Sequence, residues 1–310
     1  MHEIELWRTN HLVDPTLSIW GWEVAVYLFL GGLVAGLMVL VPLIGGRTST
    51  SVRSRALRLA PLLAPALLSV GMLALLLDLE QRWHIWRFYT TFNPFSPMSW
   101  GSWLLLVVYP VTVLYGLAQV VRSEIAALGA SKLAQVIARL ASWSMARERQ
   151  LAQLMVIFGI GLGAYTGILL GTLGARAVWG SLLLAPLFLA SGISTGAALL
   201  LLLPLTHDEH ALVRRWDIGV IVIEVALLGL FFVDLVTTGG TAGRSAAALF
   251  WGGDLTARFV SIVLVAGLAI PLTLEVLEGR RHLAASFATP ALILMGGLAL
   301  RWLLVSAGQM

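Results

Sequence analysis

Eight apolar runs follow one another along the chain, near 19–44, 60–80, 100–121, 151–172, 179–204, 217–237, 256–277 and 284–305, broken by charged or Gly/Pro-rich punctuation. Each approaches or exceeds the roughly 20 residues that a helix needs to cross a bilayer core. The pattern predicts an all-α membrane protein with eight transmembrane helices. The connections are short except for 122–150 (RSEIAALGASKLAQVIARLASWSMARERQ), which is basic and amphipathic and reads as an interfacial helix. On this reading the chain is a single integral membrane domain. Residues 1–150 hold helices one to three plus that segment, and 151–310 hold helix four and a second group, helices five to eight.

Composition agrees with the pattern. The 310 residues are 59% hydrophobic and only 12% charged, with a mean hydropathy of +0.90, whereas a soluble domain carries roughly 25% charged residues. The first run is long enough to span and does not read as a short signal peptide. No cysteine is present, which excludes disulfides, thiolate metal sites and an iron–sulfur cluster ligated by this chain. The net charge of +4 would suggest nucleic acid in a soluble protein; here it is a topology signal, and no nucleic-acid partner is expected.

Loops after helices one, three, five and seven hold Arg47, Arg53, Arg55, Arg58, Arg122, Lys132, Arg139, Arg147, Arg149, Arg214, Arg215, Arg280 and Arg281. The other side holds Arg8, Arg82, Arg87, Arg176, Arg244, Arg258 and Arg301. The excess places the first set in the cytoplasm and both termini outside. A weak internal echo pairs LFLGGLVAG (28–36) with LFLASGISTG (187–196), each with a Gly-x3-Gly pair, and Asp78-Leu79 with Asp234-Leu235. It suggests either a parallel duplication of a four-helix unit or the chance similarity of Leu/Gly-rich helices.

The most polar stretch between two apolar runs is 77–103, LDLEQRWHIWRFYTTFNPFSPMSWGSW. Helix polarity puts Glu23, Asp78, Glu80, Ser99, Ser102, Tyr165, Thr166, Asp234 and Arg301 at one level, within a turn or two of the outer boundary. Acids in apolar spans cost a few kcal/mol each unless paired or hydrated, so a shared polar pocket is the expectation; the plainer alternative is that Asp78 or Glu80 staples a helix end to Arg82 or Arg87. A thinner series points inward: Glu224, Glu275, Ser191, Ser194, Thr195, Tyr109 and Thr112. With Asp234 it forms a candidate proton path, although hydroxyls in spans often serve as helix–helix glue. None of the six histidines falls within a predicted span, which argues against a haem. The HDEH motif at 207–210 reads as a solvated loop and not as a metal site. GLGAYTG (161–167) lies within a span, where its glycines read as close-packing positions. Most of the tryptophans sit near predicted helix ends as interfacial anchors; Trp83, Trp86 and Trp100 also suggest a docking surface.

Several motifs carry a resemblance: YLFLGGLVAG (27–36), LLLDLEQRWHIWRFY with FNPFSPMSWGSW (75–103), AYTGILLG (164–171), PLFLASGISTG (186–196) and RWLLVSAGQ (301–309). They resemble the NrfD/PsrC family, the quinone-binding membrane subunits of polysulfide-reductase-type complexes. The resemblance implies two four-helix bundles without haem, and menaquinone or ubiquinone as the redox partner. It also implies an iron–sulfur (ferredoxin-like) subunit serving a molybdopterin or cytochrome catalytic subunit, and a bacterial or archaeal cytoplasmic membrane. It points to Glu23 on the first helix and to Tyr165 as quinone ligands; the polar residues at the same level add Asp78 as a third reactive group, Arg82 and Arg87 beside the acids, and Trp22, Glu80 and Ser99 around the quinone. A secondary transporter or proton-translocating subunit is the alternative function, and a purely structural anchor a third.

Overall fold

A computed structural model describes residues 20–48, 53–79, 82–120, 131–172, 176–281 and 287–310. Its span helices are α1 (Trp22–Gly45), α2 (Arg55–Asp78), α4 (Pro97–Gln119), α6 (Glu148–Gly171), α7 (Leu184–Leu201), α8 (His207–Thr237), the composite Thr256–Gly279, and α12 (Ala288–Ala307). Between them lie the short α3 (Arg87–Thr90), α5 (Lys132–Met145) and α9 (Gly240–Phe250). The composite span opens with α10 (Thr256–Arg258), continues as a π-helix over Phe259–Ala269 and ends as α11 (Ile270–Arg281). Among the described residues, eight helices are long and apolar enough to cross a membrane, as the hydropathy pattern predicts.

The hub is α1, whose apolar residues are buried on almost every side. In the first half it packs on α2 and α6, with α4 closing the group. In the second half α7 packs on α8, and α12 on α7 and the π-helix. α1 also crosses α7, which packs on α6 as well, and at the α1–α7 crossing the two echoing Gly-x3-Gly pairs interlock. A Cβ on Gly192 would lie 2.6 Å from the Gly32 carbonyl oxygen, and one on Gly196 2.6 Å from the Gly36 carbonyl carbon. Small residues let helix backbones touch where lipid offers no hydrophobic gain from association. The same device joins the π-helix to α12 at Gly267 and Gly296.

Polar ties close both ends. Gln309 donates to the Trp20 carbonyl and accepts from the Trp20 N–H, each at 2.9 Å, while the Trp179 indole donates to the Leu304 carbonyl (2.9 Å). At the opposite end Arg53 bridges Gln119 (2.6 Å) and Glu148 (2.9 Å). There Glu209 accepts from the backbone N–H groups of Ser54 and Thr206, each at 2.9 Å.

Most boundaries shift by five residues or fewer from expectation, and two elements differ more. The sixth span starts at His207 and not near 217, because Thr206 and Glu209 form a reciprocal capping box that launches the helix ten residues before its apolar run. HDEH is therefore the first turn of α8 and not a loop, and among the described residues no cluster of metal-ligating groups occurs. The interfacial segment is helical over Lys132–Met145, with Leu133, Val136, Leu140 and Trp143 exposed along it; residues 122–130 of that expectation lie outside the described ones.

Candidate functional site

A partly open cavity, about 580 Å³ when the solvent space at its mouth is included, lies between α1, α2, α4 and α6, and the 82–90 crossing segment forms part of its wall. Three tyrosines from three elements reach it: Tyr27 of α1, Tyr89 of α3 and Tyr165 of α6. The rest of the lining is largely Leu, Met and Ile, with Ser102 and Gly101 from α4. Tyr27 and Tyr165 are buried, and Tyr165 is close enough to Tyr27, and Tyr27 to Tyr89, for the hydroxyls to influence one another. None of the three hydroxyls has a hydrogen-bond partner among the described residues. A buried phenol normally finds one, so the site presents donors that are unused. Burial, and then the neighbouring Tyr109, pushes the Tyr89 phenol above its ordinary value, so it remains a donor at neutral pH.

The backbone makes room for this arrangement. Gly101 lies against the Tyr165 ring, where any Cβ would overlap the hydroxyl. Gly71 lies against Tyr27, 3.7 Å from Cβ position to ring. The crossing segment is built from local bonds: the Asn93 side chain accepts from the Phe95 N–H (3.0 Å), and the Trp100 indole donates to the Pro94 carbonyl (2.7 Å). Phe92 meets Trp103 edge to face at 5.4 Å. Ser99 is buried and accepts from the Asn93 N–H (3.0 Å), so its hydroxyl holds the crossing while Ser102, one turn on, faces the cavity.

The polar residues expected at a single level divide between two places. Glu23 stands one helical turn above Tyr27 on the same face of α1 and interacts electrostatically with Asp78 at the end of α2. Asp78 lies between the cavity-lining Leu75 and Leu79. These two carboxylates therefore flank the tyrosine cavity without lining it. Trp22 is half exposed beside them. Arg82 donates to the Leu77 (2.6 Å) and Leu79 (3.3 Å) carbonyls and so caps α2; Arg87 stacks over Trp86 at 5.7 Å. Neither arginine is paired with Asp78 among the described residues. Glu80 lies outside the described residues.

Asp234 and Arg301 are elsewhere. Asp234 accepts from Ser181 (2.5 Å) and Thr238 (2.7 Å) and fastens the end of α8. Arg301 is fully buried and donates to the Leu28, Phe188 and Gly297 carbonyls and to Ser191 (3.1 Å). Thr166 bonds back to the Gly163 carbonyl (2.7 Å). A buried polar series runs through this second half. Glu275 contacts Asp217, Asp217 accepts from Ser194 (2.8 Å), and Glu224 faces Ser191 and Arg301. Among the described residues, Asp217 Oδ2 and both Glu275 oxygens have no hydrogen-bond donor. A small crevice, no larger than a water molecule needs, lies beside Glu224, Ser191 and Ser194.

Sequence reasoning missed Tyr27, Tyr89 and Asp217. Tyr27 is hidden in the YLFL run, but its i+4 spacing from Glu23 was a usable signal. Asp217 sat at the edge of an apolar run whose helix begins earlier.

The family model described as polysulphide reductase, NrfD, matches residues 10–310. The C polypeptide of the polysulfide reductase of Wolinella succinogenes is 33% identical over 304 residues, 94% of both sequences. Protein NrfD of Escherichia coli is 32% identical over 309 residues, 94% of this chain and 95% of that one. A family match across nearly the whole length, with eight spans and a tyrosine-lined cavity between the first helices, leads to one conclusion: this chain is a multi-pass membrane protein of the NrfD polysulphide reductase family.

Proposed function

We propose that this chain is the quinone-reactive membrane subunit of a respiratory oxidoreductase, binding quinone or quinol in the tyrosine cavity and exchanging electrons with an iron–sulfur partner. The observation that carries the reading is the cavity itself. It is apolar enough for a quinone ring and holds three unpartnered phenols, and two carboxylates stand beside it. Quinone/quinol interconversion moves two electrons and two protons. Tyr165, Tyr27 and Tyr89 are placed to hydrogen-bond the ring oxygens, and their O–H groups donate to a quinone carbonyl or accept from a quinol hydroxyl. Glu23 and Asp78 are the nearest groups able to take or supply the protons. This chain has no cysteine, so the electrons pass to a cluster held by the partner.

The aromatic crossing supports a docking role. Trp83 and Phe95 are 91% and 92% exposed, with Trp86, Phe92 and Trp100 beside them. Such an apolar patch outside the spans marks an interaction surface. The distribution of arginines supports termini on the outer side of a cytoplasmic membrane, with this face on the same side. The partner then delivers electrons to, or takes them from, a molybdopterin or cytochrome catalytic subunit.

The buried Glu275–Asp217–Ser194 and Glu224–Arg301 series favours an additional proton-translocating role, with Asp234 at its far end as a terminal group. The experiment for the main reading is quinone-linked turnover of the assembled complex carrying Tyr165→Phe or Glu23→Gln. Tyr165→Phe is expected to lower it roughly tenfold to a hundredfold, the loss of one buried hydrogen bond. Full turnover in both assembled variants removes these residues from the site.

A further inference from the structure

At the end of the molecule that carries most of the arginines, away from the tyrosine cavity, a groove of about 740 Å³ opens between the loop after α1 and the first half of α8. Arg47 stands two residues beyond the end of α1, and its guanidinium lies over the Trp216 ring at 5.1 Å. Arg215 faces the same groove. Both arginines are exposed, and neither has a carboxylate partner among the described residues. Below this charged rim, Leu212, Trp216, Gly219 and Ile223 repeat at intervals of four, three and four residues and so form one stripe of α8. Ile223 is 54% exposed, and a Cβ on Gly219 would meet nothing within 4 Å, so the stripe is an open lane.

Guanidinium groups match phosphate geometry, tryptophan favours the interfacial level of a bilayer, and an uncovered apolar lane running into a span suits an acyl chain. Basic pockets between membrane helices recognise anionic headgroups. The groove lining contains no acid to meet a headgroup ammonium, and the Trp216 face is already occupied by Arg47. We propose that this groove binds an anionic phospholipid, its phosphate between Arg47 and Arg215 and one acyl chain along the Trp216–Gly219–Ile223 face of α8.

The test is native mass spectrometry of the purified full chain in detergent, titrated with phosphatidylglycerol or phosphatidylcholine. The wild type is expected to bind phosphatidylglycerol at least about tenfold more tightly. The Arg47→Gln/Arg215→Gln pair is expected to weaken that binding roughly thirtyfold and to abolish the preference. Gly219→Leu, which fills the lane without touching the arginines, is expected to weaken both lipids. Circular dichroism and size-exclusion elution check the fold of each variant; if the double variant does not fold, Arg215→Gln and Gly219→Leu carry the test. Equal affinity for the two lipids, or unchanged binding in the folded variants, overturns the proposal. Displacement of phosphatidylglycerol by equimolar inorganic phosphate also overturns it, since the groove is then a simple anion site.

Discussion

At the scale of single residues, the site depends on which groups are left without partners. Ser99, Arg82 and Asp234 spend their hydrogen-bonding capacity on local backbone or helix ends. Tyr27, Tyr89 and Tyr165 keep theirs for the cavity. From one sequence those two kinds of polar residue look alike at similar depth, which is why the expected single cluster divided in two. Only geometry separates a serine that closes a loop from a tyrosine that faces a ligand. Gly101 is the sharpest single-residue probe, because a Cβ there meets the Tyr165 hydroxyl. Gly101→Ala is expected to leave assembly intact and raise the KM for quinone about tenfold by displacing the phenol, roughly one hydrogen bond's worth. Steady-state kinetics with a soluble quinol analogue checks this; an unchanged KM shows that the phenol is not a ligand.

At the scale of elements, the spans were legible because length and hydropathy settle what a bilayer permits. The launch of α8 was not legible at the same level. Its first ten residues mix the polar HDEH turn and two arginines with only scattered apolar residues, and the helix is nucleated by the Thr206–Glu209 capping box and held by the contact of Glu209 with the Ser54 backbone. The π-helical stretch of the seventh span carried no sequence sign either, since FVSIVLVAGLA reads as an ordinary apolar run. The internal echo proved informative in an unexpected way: its two glycine pairs are the surfaces on which α1 and α7 cross. Gly36→Leu or Gly192→Leu is expected to destabilise the fold by on the order of 3 kcal/mol, as overpacking does in a tight core. Gly219→Leu on lipid-facing α8 is expected to leave it unchanged. Thermal melts in detergent compare them; equal melting temperatures contradict the close crossing.

At the scale of the whole molecule, two chemically different regions lie on either side of that crossing. One holds an apolar cavity with phenols and flanking carboxylates; the other holds a buried series of acids, hydroxyls and one guanidinium. Arg301 touches both, through the Leu28 carbonyl on α1 and Ser191 on α7. The absence of native cysteine makes topology directly testable. A cysteine in place of Phe95 is expected to react with an impermeant maleimide from the outer face of intact cells. One in place of Arg139 is expected to react only after the membrane is opened, and the reverse labelling inverts the orientation. The central claim, that quinone occupies the tyrosine cavity, is tested most directly by photo-crosslinking membranes with an azidoquinone and mapping the labelled peptides. The expected labels fall on residues 22–31, 69–105 and 161–171, and excess native quinone or Tyr165→Phe suppresses them. Specific labelling confined to α8, α11 or α12 would contradict the account.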